Sequence, residues 1–193
     1  SHCRERIRIQ WGQFLLNDML TRRYRTLICG VNPVDNSHGI ISALAEALPT
    51  SQWDAESITK YAKGYAEVSP DKVLVLKYDM DDVKVFALLR PLNQDNFTLR
   101  NLYKGFEKVA EMTETRWDRM PMASVSFLGG KSNRLVDENG NEPSFESTLR
   151  TMHEAGYRGD VYPSLRMWEL APTGVFATFP FPTSLKVMRE GGF

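Results

Sequence analysis

Residues 72–89, KVLVLKYDMDDVKVFALL, constrain the fold of this chain more than any other stretch. Two short apolar runs flank one acidic turn. Val73-Leu74-Val75-Leu76 reads as a strand and residues 83–89 as a second. Asp79-Met80-Asp81-Asp82 lies between them, a length that suits a hairpin loop of about four residues. On the first strand Val73 and Val75 point one way, Leu74 and Leu76 the other. On the second, Val83, Val85, Ala87 and Leu89 oppose Phe86 and Leu88. Both faces are apolar, as in strands covered on two sides. The expectation is an α+β fold, a mostly antiparallel sheet centred on the 72–89 hairpin with helices packed against it.

At 193 residues with 42% hydrophobic and 25% charged side chains, the chain has enough apolar material for a substantial core, expected as one domain over 1–193. Lys plus Arg and Asp plus Glu number 24 each, so no global charge draws the protein to nucleic acid or to an anionic membrane. No apolar run approaches the roughly 18 to 20 residues needed to span a bilayer. Cys3 and Cys29 imply no disulfide framework. The opening Ser1-His2, without a Met or a leader-like apolar run, reads as a trimmed start, and a cytoplasmic location is expected.

Ahead of the hairpin, Ile7, Ile9 and Trp11 alternate with Arg6, Arg8 and Gln10, the mark of a half-buried strand. Leu16, Met19, Leu20, Tyr24, Leu27 and Ile28 follow at three- and four-residue spacing. That stripe predicts a helix over about residues 13–29, stopped by Gly30, in preference to a strand over 24–31. Asn36 or Ser37 can cap a short helix carrying Ile40, Ile41, Leu44 and Leu48. Asp54 can cap another carrying Ile58, Tyr61, Ala62 and Tyr65.

Beyond the hairpin, Leu99, Leu102, Tyr103, Phe106 and Val109 define the clearest helix, with Thr98 as its cap and Trp117-Asp118 at its end. Ala123, Val125 and Phe127 alternate with Ser124 and Ser126, predicting a strand with one polar face. Residues 129–143 read as a long polar loop with an Asn139-Gly140 turn, the stretch expected to be most mobile. Phe145, Leu149 and Met152 make a short helix ending at Gly156. Residues 164–170 and 175–179 carry β signal around a turn at 171–174.

Several motifs invite a chemical reading. Asp79-x-Asp81 after an apolar strand is similar to the metal-binding motif of nucleotide-sugar glycosyltransferases, and the same residues to the nucleophile motif of haloacid-dehalogenase-type phosphatases. Both need a parallel sheet edge, whereas here the chain turns straight into another strand. Pro70-Asp71 with Asp82-Val83-Lys84 spells a nuclease core. A hairpin, however, holds Asp71 and Asp82 on the order of 20 Å apart. Gly129-Gly130-Lys131-Ser132 resembles the end of a phosphate-binding loop but lacks the earlier glycine, Val125 standing in its place, and reads as a flexible turn. Cys29 with His38 is a Cys/His pair, yet Cys29 falls on an apolar stripe where an inert thiol is commoner. His2, His38 and His153 with the cysteines make no metal-ligand spacing.

The order of elements resembles small immunity proteins of bacterial polymorphic-toxin and type VI secretion systems. The shared pattern is a strand carrying a Trp (Ile7 to Trp11), a helix, paired strands, an amphipathic helix ending in Trp117-Asp118, and a late β segment at residues 174–178. The resemblance implies a non-catalytic domain that binds and neutralises a cognate toxin. On that basis the partner-binding residues are Asp79, Asp81, Asp82, Trp117, Asp118, Asp137, Glu138 and Trp168. No catalytic residue, metal or cofactor is expected. The expected partner is a protein, with no role for nucleic acid or membrane. Two alternatives stand beside it: a metal-dependent transferase or hydrolase built on Asp79 and Asp81, and a subunit of a larger assembly.

Overall fold

The computed structural model describes residues 6–48, 52–113, 121–130 and 133–172. Eight strands occur among them: β1 (Arg8–Ile9), β2 (Thr26–Gly30), β3 (Leu74–Met80), β4 (Val83–Leu89), β5 (Phe97–Thr98), β6 (Met122–Val125), β7 (Leu135–Val136) and β8 (Asp160–Tyr162). Six helices separate them: α1 (Leu15–Leu20), α2 (Ile40–Ala47), α3 (Ala55–Val68), α4 (Leu99–Met112), α5 (Phe145–Glu154) and α6 (Leu165–Leu170). Six strands form one sheet in the order β1-β8-β6-β2-β4-β3. Every neighbouring pair in it is parallel except β3 with β4. The expected mostly antiparallel sheet is therefore corrected to a mostly parallel α/β sheet, and β5 and β7 form a separate parallel pair.

The hairpin is real, but it sits at one edge, not at the centre. Its turn is the two residues Asp81 and Asp82, since Met80 pairs directly with Val83. Both faces of the hairpin are apolar because a helix layer covers each face of the sheet. Leu76, Tyr78, Val85 and Ala87 join the core beneath α1, α2 and α3. Val75, Phe86 and Leu88 join the core beneath α4, α5 and α6. Two-sided burial came from that sandwich, and a strand next to the edge shares it with a central one.

The helix expected over 13–29 is two elements. α1 stops at Thr21, and residues 26–30 form β2, the strand between β4 and β6. The stop is a Schellman turn. Arg23 N donates to Asp18 O (3.0 Å) and Arg22 N to Met19 O (3.2 Å), with Arg22 in the left-handed region at φ 63°. Glycine is the usual residue there, so the sequence carried no stop signal. The Arg22 guanidinium holds the turn instead, donating to Met19 O and Leu20 O at 3.2 and 3.1 Å and to Asp82 at 2.9 Å.

Other elements follow their sequence signals. Ile7, Ile9 and Trp11 are buried while Arg6 and Arg8 are exposed. Asp54 and Ser57 form the capping box of α3, and Thr98 and Asn101 that of α4. α4 presses so closely on β4 that a Cβ at Gly105 would lie 2.4 Å from Leu88 Cδ2. α5 ends before Gly156 as expected.

Three local expectations are corrected. The serines of the 122–127 stretch are not a wet face. Ser124 and Ser126 are 0% and 2% exposed, and their hydroxyls bond to Val125 O and to Ser164. The supposed mobile loop contains β7, whose Leu135 and Val136 are buried against β5. Residues 165–170 are helix, capped by the Ser164 hydroxyl, and β8 precedes them. The expected strand over 175–179 lies outside the described residues.

Candidate functional site

β2 and β6 are adjacent, but the chain leaves them in opposite directions. After β2 it enters α2, whose Ile41 and Leu44 pack on one face of the sheet. After β6 it reaches α5, whose Phe145, Leu149 and Met152 pack on the other. Such a divergence opens a crevice beyond the carboxyl ends of the two strands, the general ligand position in open α/β sheets. A cleft of about 620 Å³ lies there, between the exits of β2, β6 and β8 and the start of α2. The size is typical of a small-molecule site.

The floor and walls are built by local bonding. Leaving β2, Asn32 Oδ1 accepts the amides of Val34 (2.7 Å) and Asp35 (3.3 Å). Asn36, 7% exposed, accepts Asn32 N at 2.9 Å and donates to Asn32 O at 2.7 Å and to the Thr59 hydroxyl at 2.9 Å. Asn36 is thus spent on shaping the loop and does not cap α2. The N-cap is Gly39 (φ 92°), and among the described residues no side chain bonds to the first amides of α2, whose residues line the cleft. An uncapped helix start of this kind presents N–H groups and a partial positive charge to an anion.

Opposite it, the chain leaving β6 kinks twice into the left-handed region, at Phe127 (φ 63°) and Gly129 (φ 82°). The Gly129 and Gly130 amides donate to no backbone group among the described residues. A Cβ on Gly129 would lie 2.9 Å from Arg166 Cβ, so the loop rests directly on the start of α6. The Ser126–Ser164 hydroxyl contact (3.0 Å) locks the loops after β6 and β8 together. Arg166 is in turn clamped by Glu142 at 2.6 to 3.1 Å, and that guanidinium holds the Glu142 carboxyl below its usual value. Asn133 bridges behind, donating to Val31 O (3.3 Å) and accepting from Arg90 (3.1 Å).

One end of the cleft is formed by Gln13, Phe14 and Leu15 at the start of α1, with the Phe14 ring 74% exposed. α1 is tied to the sheet there, because the Tyr162 hydroxyl donates to Asp18. Burial and that carboxylate push the Tyr162 hydroxyl well above its ordinary pKa. Asp35 and His38 also line the cleft. The Ser37 hydroxyl and amide hold the Asp35 carboxyl below its usual range.

None of the sequence-chosen site residues among the described residues lies on this cleft. Asp79 is the penultimate residue of β3 at the sheet edge, and Asp82 is paired with Arg22 and, at 3.9 Å, with Arg25. Asp137 accepts the amides of Asn139 and Asn141 (2.9 and 3.0 Å), closing its own turn beside exposed Glu138. Trp168 packs edge-on against Trp11, ring centroids 4.5 Å apart, on the core beneath α6. Trp117 and Asp118 lie outside the described residues. The cleft residues Asn32, Gly39, Phe127 and Gly130 were missed. The available signal was an apolar run followed at once by Asn or Gly, at Ile28-Cys29-Gly30-Val31-Asn32 and at Val125 to Gly130. Cys29 itself is fully buried, its thiol pushed up to about 12 by desolvation, so it is no nucleophile.

No protein-family model matches the chain, and no curated protein matches it. Among solved structures, the macrodomain of DarG from Thermus aquaticus is similar. It shares 14% identity, the match covers 81% of this chain and 96% of that one, and the TM-score is 0.50. The likeness establishes the fold as macrodomain-like. It overturns the reading of the chain as a non-catalytic immunity domain, along with the two alternatives weighed beside it. Among the described residues no group of three or more His, Cys, Asp or Glu could hold a metal ion. Among them, too, no helix is long and apolar enough to cross a membrane.

Proposed function

We propose that the cleft binds a nucleoside diphosphate that carries a second sugar, with ADP-ribose the first member to test. The observation that carries this reading is the pairing of two amide-rich backbone stretches across the crevice, the uncapped start of α2 and the Phe127–Gly130 loop. Between them a diphosphate would meet N–H donors on both sides, with Asp35 the one carboxylate among the described lining residues. The Phe14 end supplies an apolar platform for a base, and the Gln13 amide there can both donate and accept, as adenine's edge requires. The macrodomain likeness supports a ligand-binding role by analogy of fold alone.

Calorimetric titration with ADP-ribose, ADP and AMP tests the reading. The expected result is one saturable site, with ADP-ribose tightest. Phe14→Ala should weaken it by roughly tenfold, since one base-stacking platform contributes about 1–3 kcal/mol. Gly130→Glu, which puts a carboxylate beside the diphosphate position, should abolish it. The proposal is lost if ADP-ribose does not saturate the protein, or if both variants bind it as the parent does.

A further inference from the structure

A second cavity, of about 450 Å³, lies at the far edge of the sheet, where the connection into α3 folds over β3. Its walls are rings. Trp53 stacks on Tyr61 (centroids 5.5 Å, planes 28° apart) and leans on Tyr78 (5.3 Å, 49°). Tyr78 is 4% exposed, so its ring is a fixed wall. Two carboxylates border the same cavity, Asp79 near the end of β3 and Asp81 in the turn. Asp79 is exposed and has no ion pair or hydrogen bond among the described residues, although Lys84 is its cross-strand neighbour. Lys77 also borders the cavity, but its ammonium lies over the Phe86 ring, 5.9 Å from the centroid. Phe86 belongs to the opposite face of the sheet from Tyr78, so that charge is directed away.

From this arrangement we infer that the cavity takes a weakly hydrated organic cation, a quaternary ammonium or guanidinium group such as a basic peptide presents. An anion would face two carboxylates. A neutral apolar group would cover Asp79 and desolvate its charge without a partner. A small metal ion would find aromatic walls where it needs several oxygens. A large cation with diffuse charge suits both features, since ring faces attract it and it gives up little hydration on entering.

The test is an NMR titration of the full chain with three probes: choline, arginine amide, and 3,3-dimethylbutan-1-ol, the uncharged isostere of choline. The Trp53 indole signal is assigned by its loss in Trp53→Phe. At least one cation should shift that signal saturably, about tenfold more tightly than the neutral isostere. Choline against arginine amide tells which cation class is preferred. Asp79→Asn should weaken the cation about threefold to tenfold and leave the isostere unchanged, whereas Tyr78→Phe, which keeps the ring, should bind as the parent does. Thermal melts confirm that each variant is folded. The inference fails if neither cation saturates in the tens of millimolar. It also fails if the isostere binds as well as choline, or if Asp79→Asn leaves cation affinity unchanged.

Discussion

The β3–β4 hairpin and the parallel strands β1, β2, β6 and β8 make opposite use of the same sheet. The hairpin is local. Its two strands are consecutive, its turn is two residues long, and apolar side chains on both faces hold it. The parallel strands are far apart in sequence, and a buried polar network at the amino ends of β1, β2 and β8 holds them together. Asp160, 1% exposed, begins β8 and accepts from Arg8 Nε (3.2 Å), Gln10 Nε2 (3.0 Å) and the Tyr24 hydroxyl. Burial and that carboxylate raise the Tyr24 pKa, so the hydroxyl stays protonated as a donor. The hairpin is stable almost anywhere it can find two helix layers. The parallel part of the sheet exists only if β1, β2 and β8 arrive together.

The largest expected effect separates the two regions directly. Asp160→Ala leaves the Tyr24 hydroxyl and the Gln10 amide facing an empty position, and breaking such a buried charged network costs about 3–5 kcal/mol. Asp79→Ala, at the exposed hairpin end, should stay within about 0.5 kcal/mol of the parent. Urea denaturation measures both. Equal losses would mean that the parallel strands do not depend on their polar network.

A smaller effect tests the joint between the regions. Arg22 ends α1 and so releases β2 to enter the middle of the sheet. It does this from a left-handed backbone conformation that costs an ordinary residue about 1–2 kcal/mol. Arg22→Ala keeps that cost and loses the bonds to Met19 O, Leu20 O and Asp82, so it should destabilise by about 1–2 kcal/mol. Arg22→Gly loses the same bonds but relieves the backbone, and should be the more stable of the two by about 1 kcal/mol. If the alanine variant matched or exceeded the glycine variant, the Schellman turn would not be the stop.

That same residue explains what could be read from the sequence. β1, the hairpin and α3 to α5 announced themselves: β1 by its alternation, the hairpin by two apolar runs around a turn, and the helices by apolar stripes that start at a capping side chain. β2 did not. Thr26-Leu27-Ile28-Cys29 is a continuous buried run, and over so short a window a two-sided strand and a helix stripe look alike. With an arginine where glycine normally marks the stop, the helix reading ran on. Losing β2 removed the parallel neighbour of both β4 and β6, so the sheet looked antiparallel and the hairpin central. The cleft went with it, since Asn32, Gly39 and Gly130 matter only as neighbours across the β2–β6 divergence. The acidic turn, by contrast, was conspicuous in sequence, and at Asp82 it serves the joint.

The smallest effect follows from that service. The hydrogen bond from Arg22, and then its charge and that of Arg25, hold the Asp82 carboxyl below its ordinary value in the folded protein. A carboxyl lowered on folding contributes stability above its unfolded pKa, near 3.9. The contribution fades as pH falls through the lower folded value. Both side chains are substantially exposed, so salt should screen the pair. In Arg22→Ala, an NMR titration should find the Asp82 carboxyl moved up towards the ordinary range, and the difference in stability between parent and variant should narrow below pH 4. An unmoved Asp82 would show that the hairpin turn and the end of α1 are neighbours without being coupled. The stop would then rest on the two carbonyl bonds of Arg22 alone, and the hairpin would have no part in placing β2.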